Sequence, residues 1–184
     1  MNDIILVGPK HCGKTSAGKA LASLFSCSFI DLDELILQIT GKTPRRLYDE
    51  GQAVFQKAEA DALASIIAIA GVGNNDQDKR IIATGGGIID NPEAAVLLSR
   101  LKNSGAVILH LNLPAASAWQ RITAEGDLPP FLRTENPQEN HSSLHERRCA
   151  AYQQIASFSI YVEGKSPEEI AASFREIMAG SYII

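Results

Sequence analysis

Ile4-Ile5-Leu6-Val7 runs straight into Gly8-Pro9-Lys10-His11-Cys12-Gly13-Lys14-Thr15, and Ser16 to Phe25 follows. The first four residues have the apolar composition of a strand buried on both faces. Ala17, Leu21, Leu24 and Phe25 share one face of a helix. The eight residues between fit G-x-x-x-x-G-K-[ST], the phosphate-binding P-loop, in the strand, turn and helix setting that the motif requires. Successive backbone N–H groups of such a turn form an anion-binding nest, and the helix N-terminus adds unsatisfied donors and partial positive charge. Gly8, Lys10, His11, Cys12, Gly13, Lys14, Thr15 and Ser16 are therefore the expected nucleotide-binding residues. Lys14 supplies a mobile cation for the β- and γ-phosphates, and Thr15 a hydroxyl for a bridging Mg2+. His11 stands where many P-loops carry glycine, and histidine tolerates positive φ better than bulkier residues do. Cys12 reads as a small packed residue, since phosphoryl transfer needs no thiol.

The chain has 184 residues, 45% of them hydrophobic, which suits one α/β domain with a sizeable core. A formal net charge of −4 argues against a nucleic-acid backbone as partner, so the cations that meet phosphate must be local. Cys12, Cys27 and Cys149 leave an odd cysteine and have no metal-like spacing, which points to a reducing cytoplasm without a disulfide framework. No signal peptide is expected ahead of a strand that starts at Ile4, and no apolar run is long enough to span a bilayer. The expectation is a cytoplasmic monomer that meets small molecules, not nucleic acid or membrane.

Strand-like runs are predicted at 4–7, 28–32, 80–83, 106–111 and 157–162. Helical patterns are predicted at about 13–25, 33–40, 44–70, 90–103, 115–124, 138–155 and 166–179. This alternation predicts a doubly wound parallel sheet with ligands at the carboxyl ends of its strands. Gly71 to Lys79 reads as a polar, mobile insert away from the chemistry, and Glu125 to Ser143 as a lid candidate. No internal repeat or linker marks a second domain.

Asp31 and Asp33 close the second strand, where residues two apart share a face. Beside a P-loop, one carboxylate can orient the waters of Mg2+ and the other can accept a hydroxyl proton. Alternatively, Asp31 ends the strand and Asp33 caps the next helix. Thr84-Gly85-Gly86-Gly87 after the third strand leaves bare backbone that a ligand can approach. Trp119 reads as a core residue and His110 as a satisfied strand-end residue. His141 and His145, four apart with no third ligand, read as an exposed helix face. The apolar tail from Ser181 to Ile184 docks on either the sheet or a neighbouring molecule.

Taken in order, these segments resemble the shikimate kinase family. The resemblance rests on the P-loop, on Phe29 to Ile36, on Tyr48 to Phe55 with Glu59, on Ile82 to Gly87, and on Arg147-Arg148 followed by Tyr152 and Ala156. It covers essentially the whole chain. It implies a P-loop three-layer α/β sandwich with a five-stranded parallel sheet in the order 2-3-1-4-5. It also implies a single domain over 1–184, with a helical substrate-binding subdomain at about 33–70 and a lid at about 125–143. The implied activity is ATP- and Mg2+-dependent phosphorylation of the 3-hydroxyl of shikimate. Residue by residue, it implies Lys14 and Thr15 at phosphate and Mg2+, Asp31 near Mg2+, and Asp33 on the acceptor hydroxyls. Lys14 and Asp33 would be the catalytic pair. Gly85, Gly86 and Gly87 would lie under the acceptor, Arg148 on its carboxylate, and Arg121 near the adenine.

Two positions depart from the family pattern. Gln56 stands where the family has an arginine that also holds the acceptor carboxylate. Lys57 beside it is rotated about 100° away on a helix. The lid stretch Asp127-Leu128-Pro129-Pro130-Phe131-Leu132 lacks the family's arginine, and Arg133 follows it. Three readings remain: a working shikimate kinase that uses neighbouring cations such as Lys57, Arg46 or Arg133; a kinase for another polyol, one without a carboxylate; and a nucleotide-binding protein with little catalysis.

Overall fold

In a computed structural model, which describes residues 3–70, 79–124, 126, 128–129 and 132–181, β1 (Ile4–Val7) is the central strand of a five-stranded sheet. β2 (Ser28–Asp31), β3 (Arg80–Ala83), β4 (Val107–Asn112) and β5 (Phe158–Tyr161) complete it, in the order β2-β3-β1-β4-β5. Every pairing is parallel, with Ile5 opposite Ile82 on one side and Ile108 on the other. The expected strand order is the observed one.

Parallel strands need crossovers, and the helices that make them cover both faces. Side chains alternate along β1. Ile4 and Leu6 pack with α1 (Lys14–Phe25) and α8 (Pro167–Ser181) through Ala17, Leu21 and Phe174. Ile5 and Val7 face the other way, toward α2 (Leu32–Thr40), α4 (Gln52–Ala70) and α5 (Pro92–Asn103) through Leu32, Ile36, Leu63 and Leu98. α6 (Ala115–Ala124) and α7 (Pro137–Ile155) pack on each other between β4 and β5 in sequence. Among the described residues, no helix is long and apolar enough to cross a membrane.

Several expectations change. The helix read across 44–70 is two helices, α3 (Pro44–Glu50) and α4, broken at Gly51 with φ 151°. Trp119 is half-buried, stacked on His141 rather than in the core. His141 and His145 are buried, not an exposed face, and their rings meet at a 49° tilt with centroids 5.5 Å apart. The reason is that α7 lays this face against α6. His110 lies within β4, fully buried on Tyr152; its Nδ1 meets Ser159 Oγ at 3.2 Å, but its Nε2 has no hydrogen-bond partner among the described residues. Residues 71–78 of the polar insert, Glu125, Asp127, Pro130 and Phe131 of the lid candidate, and Tyr182, Ile183 and Ile184 of the tail lie outside the described residues.

Candidate active site

The P-loop forms because β1 delivers the chain to the carboxyl edge of the sheet and α1 starts immediately after it. His11 (φ 60°) and Gly13 (φ 93°) take left-handed conformations that turn the backbone back on itself. Lys14 is buried, and its Nζ donates to the carbonyls of Gly8 (3.0 Å) and Pro9 (2.8 Å). Lys10, His11, Gly13, Lys14, Thr15 and Ser16 line a cavity of about 570 Å³ with Asp31, Asp33, Thr84, Gly85, Gly86 and Arg121. Gly8 and Cys12 are not on its wall. Gly8 contributes its carbonyl to Lys14, and Cys12 is packed in the core at 1% exposure. Arg121 Nη1 donates to the His11 carbonyl at 2.9 Å, which ties α6 to the loop.

Asp31 and Asp33 both reach this cavity, but not as two residues of one strand. β2 ends at Asp31, which is the N-cap of α2, and Asp33 lies in the helix's first turn. The cap is therefore Asp31, not Asp33. Its Oδ1 accepts from the Asp33 N–H at 3.0 Å and its Oδ2 from Thr15 Oγ1 at 2.7 Å. Burial, reinforced by the Asp31 charge, pushes the Asp33 carboxyl above its ordinary range, against the pull of Lys14 and Lys10.

A second cavity of about 690 Å³ adjoins the first. Lys10, Asp33, Gly85 and Gly86 belong to both walls. Gly86 must be glycine here, because a Cβ would lie 2.7 Å from the Lys10 backbone nitrogen. Gln56, Glu59, Gly87, Asp90, Arg147 and Arg148 line the far wall, with Arg45 and Tyr48 from α3 and Pro129 and Leu132 from the lid candidate. The Gln56 amide donates to the Asp90 carbonyl at 3.0 Å. Glu59, 1% exposed, accepts from Asn91 Nδ2 at 3.0 Å through Oε2, while its Oε1 has no hydrogen-bond partner among the described residues. Burial pushes its carboxyl up to about 7; Asn91 and Arg148 oppose the shift, and Asp33 and Asp90 add to it. The Asp90 carboxylate binds Arg147 and Arg148. Burial raises its carboxyl, but these arginines outweigh that effect and hold it below the ordinary range.

The cations named from sequence to compensate for the two missing arginines, Lys57 and Arg46 for position 56 and Arg133 for the lid, lie elsewhere. Lys57 pairs with Asp61 at 2.7 Å on the outside of α4, and Arg46 reaches Glu50 at 3.9 Å with 74% of its side chain exposed. Arg133 Nε donates to the Leu128 carbonyl at 3.3 Å, off the cavity wall. Arg45, Glu59, Asp90 and Arg147 also line this wall and were given no site role from sequence. The signal was present in the adjacent pair Arg147-Arg148 and in an acid three residues after the glycine run.

This arrangement has close relatives. Residues 10–179 match the shikimate kinase family. The chain belongs to the shikimate kinase family. A shikimate kinase of Thermodesulfovibrio yellowstonii is 32% identical over 172 residues, 93% of this chain and 91% of that protein. That of Corynebacterium diphtheriae is 30% identical over 170 residues, 92% of this chain and 90% of that protein. The structure of the Acinetobacter baumannii shikimate kinase in complex with shikimate superposes with a TM-score of 0.85 at 25% identity, covering 100% of this chain and 96% of that one.

Proposed function

We propose that this chain transfers the γ-phosphoryl of ATP to a ring hydroxyl of shikimate, giving shikimate 3-phosphate. The observation that carries this reading is the shared wall: Asp33, Lys10, Gly85 and Gly86 face both the P-loop cavity and the acceptor cavity. A phosphoryl group leaving the first enters the second beside a carboxylate.

Asp33 holds the attacking hydroxyl and accepts its proton, a task favoured by a carboxyl pushed above its ordinary range. Lys14 leaves its carbonyl partners for the β- and γ-phosphate oxygens when nucleotide binds, since both carbonyls belong to the loop itself. Gly85, Gly86 and Gly87 floor the acceptor, and Arg148 grips its carboxylate. Arg121 lies beside the loop on the adenine side. The paired Thr15 hydroxyl and Asp31 carboxylate fit Mg2+, which takes hard oxygen ligands and is held by few protein groups besides the phosphates. When bound, Mg2+ neutralises phosphate charge; Thr15 and Asp31 are the residues that would hold it.

A carboxylated acceptor suits the cavity better than a neutral polyol does. Lys10, Arg45, Arg147 and Arg148 face Asp33, Glu59 and Asp90, and Glu59 is half-protonated near pH 7, so the wall is net cationic. Pro129 and Leu132 on that wall support a covering role for 125–143, and α3 and α4 support an acceptor-side role for 33–70. The chain works as one domain and one copy, in the cytoplasm. A coupled assay of ADP release tests the reading: wild-type protein turns over with shikimate and Mg-ATP, Lys14→Ala abolishes turnover, and a neutral cyclic polyol gives none. Turnover with the polyol but not with shikimate overturns it.

A further inference from the structure

Arg147 and Arg148 are neighbours on α7, so their side chains leave an isolated helix about 100° apart and repel each other. Both nevertheless line the acceptor cavity. One carboxylate gathers them: Asp90 Oδ1 accepts from Arg147 Nη1 at 2.7 Å and Oδ2 from Arg148 Nε at 2.8 Å, with Arg148 Nη2 in ion-pair contact with Oδ2 at 2.8 Å. Asp90 closes a 3₁₀ turn (Ile88–Asp90) directly behind the glycine run, and Gln56 Nε2 braces that turn through the Asp90 carbonyl at 3.0 Å. Gly87 eases the approach, since a Cβ there would make a tight 3.0 Å contact with Arg148 Nη2.

We propose that Asp90 is a positioning residue that turns Arg147 into a second cation for the acceptor's carboxylate, beside Arg148. This rests on the reading above, that the acceptor carries a carboxylate. Two guanidiniums around one carboxylate keep a net charge of +1, enough to attract a monoanion without leaving two unpaired cations in a cavity. Arg148 is the fixed member, 14% exposed; Arg147, 60% exposed, has the range to close on a ligand. Gln56 carries no charge to the acceptor and instead holds the turn that aligns the pair. The cation missing at position 56 is thereby supplied from α7.

Steady-state kinetics on the full chain test this, with shikimate and Mg-ATP varied in turn. Asp90→Asn is expected to raise the shikimate KM tenfold or more, with kcat within a few-fold of wild type and the Mg-ATP KM unmoved. Asp90→Glu recovers part of the loss. Arg147→Ala, at an exposed side chain that the fold does not need, raises the shikimate KM similarly, and adding Asp90→Asn to it costs little more. A shikimate KM that falls in Asp90→Asn means that Asp90 competes with the acceptor and overturns the proposal. An Arg147→Ala variant with wild-type KM also overturns it. Either result alongside wild-type turnover of shikimate leaves the proposed function standing. Wild-type protein that ignores shikimate but phosphorylates a neutral cyclic polyol overturns both.

Discussion

Asp33 faces both cavities, and its backbone, not its carboxylate, is what Asp31 caps. Asp33→Asn therefore keeps the helix start and removes only the charge. Turnover is expected to fall about 10²–10⁴-fold, the usual range for a lost general base, with ADP affinity and Tm unchanged. Near-normal turnover would make Asp33 a structural residue. Glu59 gives a second prediction. Its folded-state carboxyl is raised from 4.5 to about 7, so the folded protein holds a proton there that the unfolded chain has lost. Stability from this group is complete below pH 4.5 and is lost as pH rises through 7. Relative to wild type, Glu59→Gln should gain Tm steadily from pH 5 to 8, by the equivalent of roughly 2–3 kcal/mol at most. A difference independent of pH would show that Glu59 is ionised throughout. Lys14 and Thr15 were legible in sequence because the P-loop spacing determines where they lie, and Arg148 was legible through the resemblance to the shikimate kinase family. Asp90 and Arg147 were not, because their relation joins a turn after β3 to a helix 57 residues later.

Gly51 divides what periodicity read as one helix, and the division decides which side chains of α3 and α4 line the cavity that holds Gln56 and Arg148. Its amide closes α3 on the carbonyls of Leu47 and Tyr48, and its carbonyl starts α4 by accepting from Val54 and Phe55. At φ 151° the backbone is in a region that side chains rarely adopt, although a Cβ would touch only Val54 at 3.6 Å. Gly51→Ala thus isolates backbone strain from crowding. The expected loss is about 1–3 kcal/mol in denaturant or thermal melts, with a raised acceptor KM because α3 carries Arg45 and Tyr48. An alanine variant with unchanged melting and KM would mean that α3 and α4 can join without cost. The sequence Asp49-Glu50-Gly51-Gln52 offered this break, but apolar spacing on either side continued at helical period and masked it. The helix boundary at Asp31 was masked differently: strand alternation runs through Asp31 and Leu32, and only the side-chain cap shows where the helix begins.

Across the whole molecule, the parallel α/β class was legible because each strand was an apolar run followed by a helix, whereas the sheet order came from the resemblance to the shikimate kinase family. What crosses between layers was not legible. Arg80 at the start of β3 pairs with Asp3 and donates to the Ile66 carbonyl at 2.8 Å, closing the edge opposite the site. Nearer the site, His110 from β4 and His141 and His145 from α7 are buried, as is Tyr152, although the four-residue spacing of His141 and His145 alone read as solvent-facing. Burial lowers the pKa of all three, His110 to about 4, with the His145 charge adding to the effect on His110 and His141. The sign follows directly. The unfolded chain takes up protons near 6.5 that the folded protein refuses, so this stabilisation is complete above 6.5 and is lost as pH falls toward 4. Glu59 works the opposite way over nearly the same window, so the histidines are best read on a Glu59→Gln background. There, Tm should fall monotonically from pH 7 to 4. Adding His110→Asn should lower Tm at pH 7, where a packed ring is lost, yet flatten the acid decline. His110 alone accounts for on the order of 3 kcal/mol of that decline, or several degrees. If the decline keeps its full slope in the asparagine variant, His110 is not among the groups whose protonation opens the interface between α7 and the sheet, and the acid sensitivity belongs to His141 and His145.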